Sequence, residues 1–151
     1  MNREEFKKVV DFAINEEEAS YQFYMDACNK LEDKTLKNTF INLANEEMDH
    51  KKFLITYRDN EGESMSISQP VDYEISETLD MPELSTDMSF PDAMALAIKR
   101  EEDAMNMYQA LANASNDEAK KEVFINLKNM EQLHKSRLEE MYLNVGYREI
   151  W

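Results

Sequence analysis

Two Glu-x-x-His units constrain this sequence more than any other feature. The first is Glu47-Met48-Asp49-His50 and the second is Glu131-Gln132-Leu133-His134, and they contain the two histidines of the chain. Residues i and i+3 of an α-helix lie on the same face, so each unit directs one carboxylate and one imidazole toward the same point. Each unit therefore supplies half of a candidate metal site.

The offset of 84 residues between position 50 and position 134 relates much of the surrounding sequence as well. The matching pairs are Phe40-Ile41-Asn42-Leu43 with Phe124-Ile125-Asn126-Leu127, Glu17-Glu18 with Glu101-Glu102, Tyr24 with Tyr108, and Lys51 with Lys135. Self-similarity at one offset over so many positions indicates an internal repeat. The chain is therefore predicted to contain two copies of one helix-turn-helix unit.

Charge and composition exclude several classes of partner. With 32 acidic and 17 basic residues the formal net charge is −15, which disfavours a nucleic-acid partner because phosphates require clustered Lys and Arg. No apolar run approaches the ~18 residues of a membrane span, and the first residues lack the layout of a signal peptide, so we expect no membrane partner and a cytoplasmic location. A single cysteine, Cys28, excludes a four-cysteine metal site within the chain and is expected to be a small core residue.

Apolar residues spaced three and four apart predict four amphipathic helices in a single all-α domain, residues 1–151. Two helices separated by a short polar break form a predicted antiparallel hairpin over residues 3–58. A second hairpin is predicted over residues 89–145, with Ser89 as the N-cap of its first helix and Gly146 as the stop of its last.

The predicted linker between the hairpins, residues 59–88, is rich in Ser, Thr, Asp and Glu and includes Gly62, Pro70 and Pro82. Its composition predicts a connection without regular structure. About thirty extended residues span up to roughly 100 Å, whereas a helix of about 28 residues is ~42 Å long. The linker is long enough to cross the bundle, and we expect the second hairpin to begin at the end where the first began.

Six polar residues interrupt the inward-facing apolar stripes of the four predicted helices. They are Glu17, Glu47, His50, Glu101, Glu131 and His134. The repeat alone matches Glu18 and Glu102 as well as Glu17 and Glu101. The flanking residues decide between them, because the positions three, four and seven residues from Glu101 are apolar or aromatic. Glu16 and Glu18 fall off the stripe and are expected to be solvated.

Four carboxylates cannot stay ionised together in a core without compensation, because each unpaired buried charge costs several kcal/mol. Two divalent cations would compensate them, with one His and one terminal Glu for each ion and two Glu to bridge. Carboxylate oxygen with imidazole nitrogen suits iron or manganese better than structural zinc, and we favour two iron ions. The alternative is that these are surface residues of glutamate-rich helices, and the equivalent stripe positions of both histidines argue against it.

Tyr24 and Tyr108 each lie seven residues after a candidate ligand, on the same helical face. Two roles are open for them: they pack in the bundle core, or their hydroxyls donate hydrogen bonds to a ligand carboxylate and so assist catalysis.

These motifs resemble those of the rubrerythrin-like branch of the ferritin-like di-iron carboxylate proteins. The resemblance covers all four helices and not the linker. The matching pieces are Ile14-x-x-Glu17-x-x-Ser20-x-x-Phe23-Tyr24, Leu43-x-x-x-Glu47-x-x-His50, Ile98-x-x-Glu101-x-x-Ala104-x-x-Met107-Tyr108 and Leu127-x-x-x-Glu131-x-x-His134. It implies a ferritin-like four-helix bundle, with two antiparallel hairpins joined by a long crossover, that holds the ligand set described for such bundles.

The resemblance also implies an activity: a di-iron oxidoreductase that reduces hydrogen peroxide, or one that oxidises ferrous iron with oxygen, commonly as a homodimer. Two departures from the family limit it. The family's further Glu, one turn beyond the third-helix ligand, is Ala104 here, and one cysteine cannot build the family's rubredoxin-type domain. A peroxidase would therefore need an external electron-donor protein. The alternative functions are a ferroxidase or iron-storage protein, and a metal-loaded bundle that binds a partner without turnover.

Overall fold

Four helices account for nearly all of the part of the chain that the structure, a computed structural model, describes, which is residues 2–60 and 90–149. The helices are α1 (Arg3–Lys30), α2 (Lys34–Asp59), α3 (Phe90–Ala114) and α4 (Glu118–Glu149), and these described ranges contain no strand. The predicted all-α class is confirmed. None of the four described helices is both long enough and apolar enough to cross a membrane.

Side-chain caps set the starts of α1 and α2. The Asn2 side chain accepts from the backbone N–H of Glu5 at 2.8 Å, and the Glu5 carboxylate accepts in return from the N–H of Asn2. The Asp33 side chain accepts from the N–H of Leu36 at 2.9 Å. These bonds satisfy backbone donors that the first turn of a helix leaves without partners. The predicted cap of the third helix, Ser89, lies outside the described residues.

The last helix is longer than its sequence predicts. Gly146 was expected to stop it, but α4 continues through this residue to Glu149, so that prediction is wrong. Glycine inside a helix costs about 1 kcal/mol relative to alanine, which weakens a helix without ending it. No proline follows in residues 147–149, so nothing there removes a backbone donor.

Each hairpin packs its two helices antiparallel, as predicted. The rings of Phe6, near the start of α1, and Tyr57, near the end of α2, make an edge contact with centroids 5.3 Å apart. At the other end of this hairpin, the Cys28 thiol donates to the carbonyl oxygen of Lys37 at 3.8 Å. Cys28 is buried in the core, as expected from the sequence. The helices α3 and α4 pair in the same way along their length.

The apolar core forms two clusters, one toward each end of the bundle. One contains Tyr24, Cys28, Leu31, Leu36, Phe40, Ala93, Met94, Ile98 and Leu138. The other contains Phe6, Val10, Ile14, Leu54, Tyr57, Tyr108, Ala112, Val123, Phe124 and Leu127. The buried glutamates and histidines occupy the middle of the helices between them, so apolar packing at both ends fixes the spacing of the four helices around the polar residues.

The end of α2 and the start of α3 lie at opposite ends of the bundle. Tyr57, at the end of α2, lies in one cluster, and Met94, at the start of α3, lies in the other. The predicted linker, residues 59–88, lies almost entirely outside the described residues, so its crossover stays a prediction. One part of the expectation is wrong: the second hairpin begins beside Leu31, where α1 ends. After α1 and α2 the chain is back at the end of the bundle where α1 began. A linker that crosses the bundle must therefore lead to the opposite end, where α1 ends.

Candidate metal centre

All six predicted ligands come together in the middle of the bundle. Each of α1 and α3 contributes one glutamate, and each of α2 and α4 contributes one Glu-x-x-His pair. Their exposed fractions are 7% or less: Glu17 2%, Glu47 1%, His50 7%, Glu101 1%, Glu131 0% and His134 2%. Helical periodicity aims both members of each pair inward, and the short hairpin turns set the helices side by side.

The first group of candidate ligands surrounds His50. Its Nδ1 atom lies 2.8 Å from Glu131 Oε1, 3.3 Å from Glu17 Oε2 and 3.5 Å from Glu47 Oε1. Ligand atoms of these four residues all lie within 4.8 Å of one another. That spacing suits a single cation bound by three carboxylates and one imidazole.

The second group surrounds His134. Its Nδ1 atom lies 3.0 Å from Glu47 Oε1, 3.5 Å from Glu101 Oε1 and 3.7 Å from Glu131 Oε2. The two groups share Glu47 and Glu131. Each group also has one histidine and one glutamate of its own, so Glu47 and Glu131 are the candidates to bridge two ions. The imidazole rings stack with their centroids 5.4 Å apart.

Several buried polar atoms of this cluster have no hydrogen-bond partner. They are Glu17 Oε2, Glu47 Oε1, Glu101 Oε2, Glu131 Oε2 and His134 Nδ1. The short distance from His134 Nδ1 to Glu47 Oε1 is an ion-pair contact without hydrogen-bond geometry. Buried acceptors are rarely left unsatisfied, since each costs about 1–3 kcal/mol. These oxygen and nitrogen atoms lie close together and lack hydrogen-bond donors, and such a group is suited to binding two divalent cations.

Burial and mutual repulsion shift the proton affinities of this cluster. Burial, with the charges of Glu17 and Glu101, raises the pKa of Glu47 to about 7. Burial and neighbouring carboxylates also raise the pKa of Glu131 well above its usual range. Burial alone would lower the pKa of His134, but the charges of Glu101 and Glu47 outweigh it and raise that pKa. In the absence of cations the cluster therefore retains protons, which bound cations would displace.

The two predicted tyrosines cross between the hairpins. Tyr24 on α1 donates its hydroxyl to Glu101 Oε1 on α3, and Tyr108 on α3 donates to Glu17 Oε1 on α1 at 2.6 Å. Both side chains are fully buried and belong to the apolar clusters. Burial and the facing carboxylates raise the pKa of both hydroxyls well above the usual value, so both remain donors. Both tyrosines therefore pack in the core and also donate to candidate ligand carboxylates, while their contribution to catalysis stays a prediction.

Comparison with known proteins agrees with this arrangement. The family model for rubrerythrin matches residues 8–142. This chain belongs to the rubrerythrin family. Membership and the buried Glu and His groups together indicate a site for two metal ions. The predicted ferritin-like four-helix bundle is confirmed.

One solved structure with this fold is a hypothetical protein from Pyrococcus furiosus. It is 24% identical in sequence, with a TM-score of 0.65, and the match covers 91% of this chain and 87% of that one. At this identity the likeness concerns the fold alone. A search of curated proteins found no match.

This member of the rubrerythrin family has no carboxylate at the position of the family's further glutamate. Ala104 and its repeat counterpart, Ser20, line a cavity of about 110 Å³ that also reaches Glu17. The two hairpins therefore present matched ligand sets of one glutamate and one Glu-x-x-His pair each.

Each hairpin has one ion pair between its two helices beside the cluster, and the sequence did not predict either of them. Lys51 Nζ lies 3.1 Å from Glu18 Oε2, and Lys135 Nζ lies 2.8 Å from Glu102 Oε2. Glu16 is exposed as expected, but Glu18 is only 39% exposed and is paired. The signal was present, since all four residues recur at the offset of 84 residues.

A second missed feature lies on the outer side of His134. Glu46 Oε2 is 3.4 Å from His134 Nε2, and Arg137 donates to both oxygens of Glu46. Burial opposes ionisation of Glu46, but its bonds to His134 and Arg137 outweigh burial and lower its pKa to about 2. No repeat marks this contact, because the residue 84 positions after Glu46 is Met130.

Replacing Tyr108 with phenylalanine should destabilise the metal-free protein by about 1.5–3 kcal/mol, the usual contribution of a hydrogen bond to a charged group. The variant leaves Glu17 Oε1 buried without its donor. Urea unfolding measures the effect, and Tyr21→Phe is the control because that ring is only partly buried. A Tyr108→Phe variant as stable as wild type would show that the bond contributes nothing.

Proposed function

We propose that this protein is a di-iron oxidoreductase that reduces hydrogen peroxide to water with electrons from an external donor. The observation that carries this proposal is the pair of ligand groups that share Glu47 and Glu131. Two carboxylates shared between the groups would hold two ions near each other, so that one small substrate could contact both. Reduction of one peroxide takes two electrons and two protons and produces two water molecules, which matches two one-electron centres.

Access to the proposed site supports a small substrate. A cavity of about 280 Å³ between α2 and α4 reaches both histidines. Asp49 and Leu133 stand on its wall and are exposed, which opens the cavity to solvent. A volume at the lower limit of ordinary ligand pockets admits peroxide or oxygen more readily than a large organic substrate.

Each residue of the cluster has a distinct role in this proposal. Glu17 and His50 would hold one ion, Glu101 and His134 would hold the other, and Glu47 and Glu131 would be shared by both. When bound, the iron ions supply the electrons and the Lewis acidity for cleavage of the O–O bond. Tyr24 and Tyr108 orient Glu101 and Glu17 by hydrogen bonding, so their role is to position ligands.

The remaining partners follow from the same proposal. A single cysteine cannot hold a four-cysteine iron site, so the electrons come from a donor outside these 151 residues. The homodimer, the cytoplasmic location and iron in preference to manganese stay predictions.

Stopped-flow mixing of the iron-loaded, anaerobic protein with peroxide and, in parallel, with oxygen tests the proposed reaction. We expect oxidation by peroxide to be at least tenfold faster at equal oxidant concentration. Apoprotein to which the same amount of iron is added at the moment of mixing is the control for reaction in bulk solution. Preference for oxygen would overturn the peroxidase assignment, and reaction with neither oxidant would leave a bundle that only holds metal.

A ferroxidase or storage protein is the second candidate, and a specific observation favours it. Glu46 and Asp49 line the cavity above the histidines, and the chain carries a net charge of −15, both of which attract ferrous ions. Storage requires a hollow shell of many subunits, whereas the proposed peroxidase is a homodimer. Light scattering separates the two, and uptake beyond two irons per chain would favour storage.

A further inference from the structure

The contact of Glu46 with the outer nitrogen of His134 distinguishes the surroundings of the two histidines. Arg137 Nη1 lies 2.7 Å from Glu46 Oε2 and Nη2 lies 3.3 Å from Glu46 Oε1, so the guanidinium donates to both oxygens of the carboxylate. Oε2 of the same Glu46 carboxylate lies 3.4 Å from Nε2 of His134, while Nδ1 of that ring faces the cluster. A carboxylate on the far nitrogen of a ligating histidine fixes its tautomer and orientation and increases the basicity of the ligating nitrogen.

The internal repeat breaks at this contact. The residue equivalent to Glu46 in the second hairpin is Met130, and the residue equivalent to Arg137 in the first is Phe53. The cavity that reaches both rings is accordingly asymmetric in charge: besides the histidines, α2 lines it with two carboxylates, Glu46 and Asp49, whereas α4 lines it with the uncharged Asn129, Met130 and Leu133. The ligands of the two hairpins repeat closely, but the residues on the outer sides of the two histidines differ.

We propose that Glu46, held by Arg137, is a positioning residue that makes the two metal positions unequal, with the position at His134 the tighter one. The inference rests on the proposed function, because it requires that the cluster binds metal. It concerns the relative affinity of the two positions, which neither the ligand set nor the repeat distinguishes. Partners of this kind typically change metal affinity by about 10–100-fold.

A plain surface ion pair is the competing explanation. Glu46 and Arg137 are each 38% exposed, and exposed pairs contribute about 0–1 kcal/mol to stability. Such a pair would alter the stability of the fold slightly and would leave the affinity ratio of the two metal positions unchanged. Metal affinity at each position therefore separates the two explanations.

Titration with Co²⁺, followed by its visible absorption, tests the inference without any turnover. We expect wild type to bind two ions per chain in two steps, with dissociation constants at least tenfold apart. Glu46→Gln should weaken the tighter step by about 10–100-fold and leave the weaker step within about twofold. Asp49→Asn is the matched control for charge, since it removes the same charge from the same cavity, and it should leave the ratio of the two dissociation constants within about twofold of wild type.

Proton NMR of the Co²⁺-loaded protein supplies a second, spectroscopic measurement. We expect the ring N–H of one histidine to exchange with D₂O about tenfold more slowly than the other, because Glu46 accepts that proton, and to lose this protection in Glu46→Gln. Equal steps in wild type, or a Glu46→Gln variant with wild-type steps and exchange, would overturn the inference while leaving the proposed function intact. A wild-type protein that binds no Co²⁺ would overturn both.

Discussion

Replacing Glu131 with alanine is expected to abolish binding of both metal ions, whereas replacing Glu17 with alanine is expected to abolish one. The difference follows from the geometry, since Glu131 belongs to both ligand groups and Glu17 belongs to one. Loss of a bridging carboxylate also removes the charge that offsets two neighbouring cations. We expect peroxide turnover to fall at least 100-fold in the Glu131→Ala variant, which is a loss of about 2.7 kcal/mol of transition-state stabilisation.

Metal content per chain after loading and desalting measures this difference directly. Glu18→Ala is the matched control, because it removes a glutamate next to Glu17 that pairs with Lys51 and belongs to neither ligand group. The metal-free Glu131→Ala protein should still fold, since the variant removes a buried carboxyl whose neighbours raise its pKa. Two ions per chain in Glu131→Ala, or none in Glu17→Ala, would contradict the assignment of bridging and terminal glutamates.

The stability of the metal-free protein is expected to fall as pH rises from about 5 to 8. Folding raises the pKa of Glu47 to about 7 and raises that of Glu131 as well, so stability present near pH 4.5 is lost as these carboxyls ionise in the core. Folding also raises the pKa of His50 and His134, so their contribution is present below pH 6.5 and is lost as pH rises through the folded-state pKa. Glu47 alone corresponds to about 3 kcal/mol.

The carboxyls whose pKa is lowered do not alter the expected fall in stability between about pH 5 and pH 8. Burial raises the pKa of Glu101, but the positive charge of His134 and the hydrogen bonds to this carboxylate together outweigh burial and lower it, so the contribution of Glu101 to stability is lost only below about pH 4.5. The same holds for Glu46, whose pKa is about 2.

The metal-loaded protein should show the opposite dependence on pH. Metal binding requires ionised Glu and neutral His, so its stabilisation grows from pH 5 to pH 8 as protons leave the ligands. Thermal unfolding of both forms at three or four pH values measures the two slopes, and the gap between the melting temperatures should widen toward pH 8. Equal melting temperatures of the two forms at neutral pH would contradict a metal site built from these residues.

Most of the candidate site was predictable from the sequence because its residues obey local rules. Helical periodicity alone places Glu47 and His50 on one face, and the same rule places Glu131 and His134. The offset of 84 residues and the apolar flanks of Glu101 were enough to choose Glu17 and Glu101 over their neighbours. A short turn then obliges each pair of helices to lie side by side, so the three ligands of a hairpin meet whatever the rest of the fold does.

Contacts between the hairpins were decided by the tertiary structure. The partner of Tyr24 is Glu101 and the partner of Tyr108 is Glu17, each on the other hairpin, and the pair of Glu46 with Arg137 also joins the two hairpins. Periodicity determines which face of a helix is buried, but it does not determine how far one hairpin slides or turns against the other. That register is set by the packing of the two apolar clusters, whose members come from all four helices.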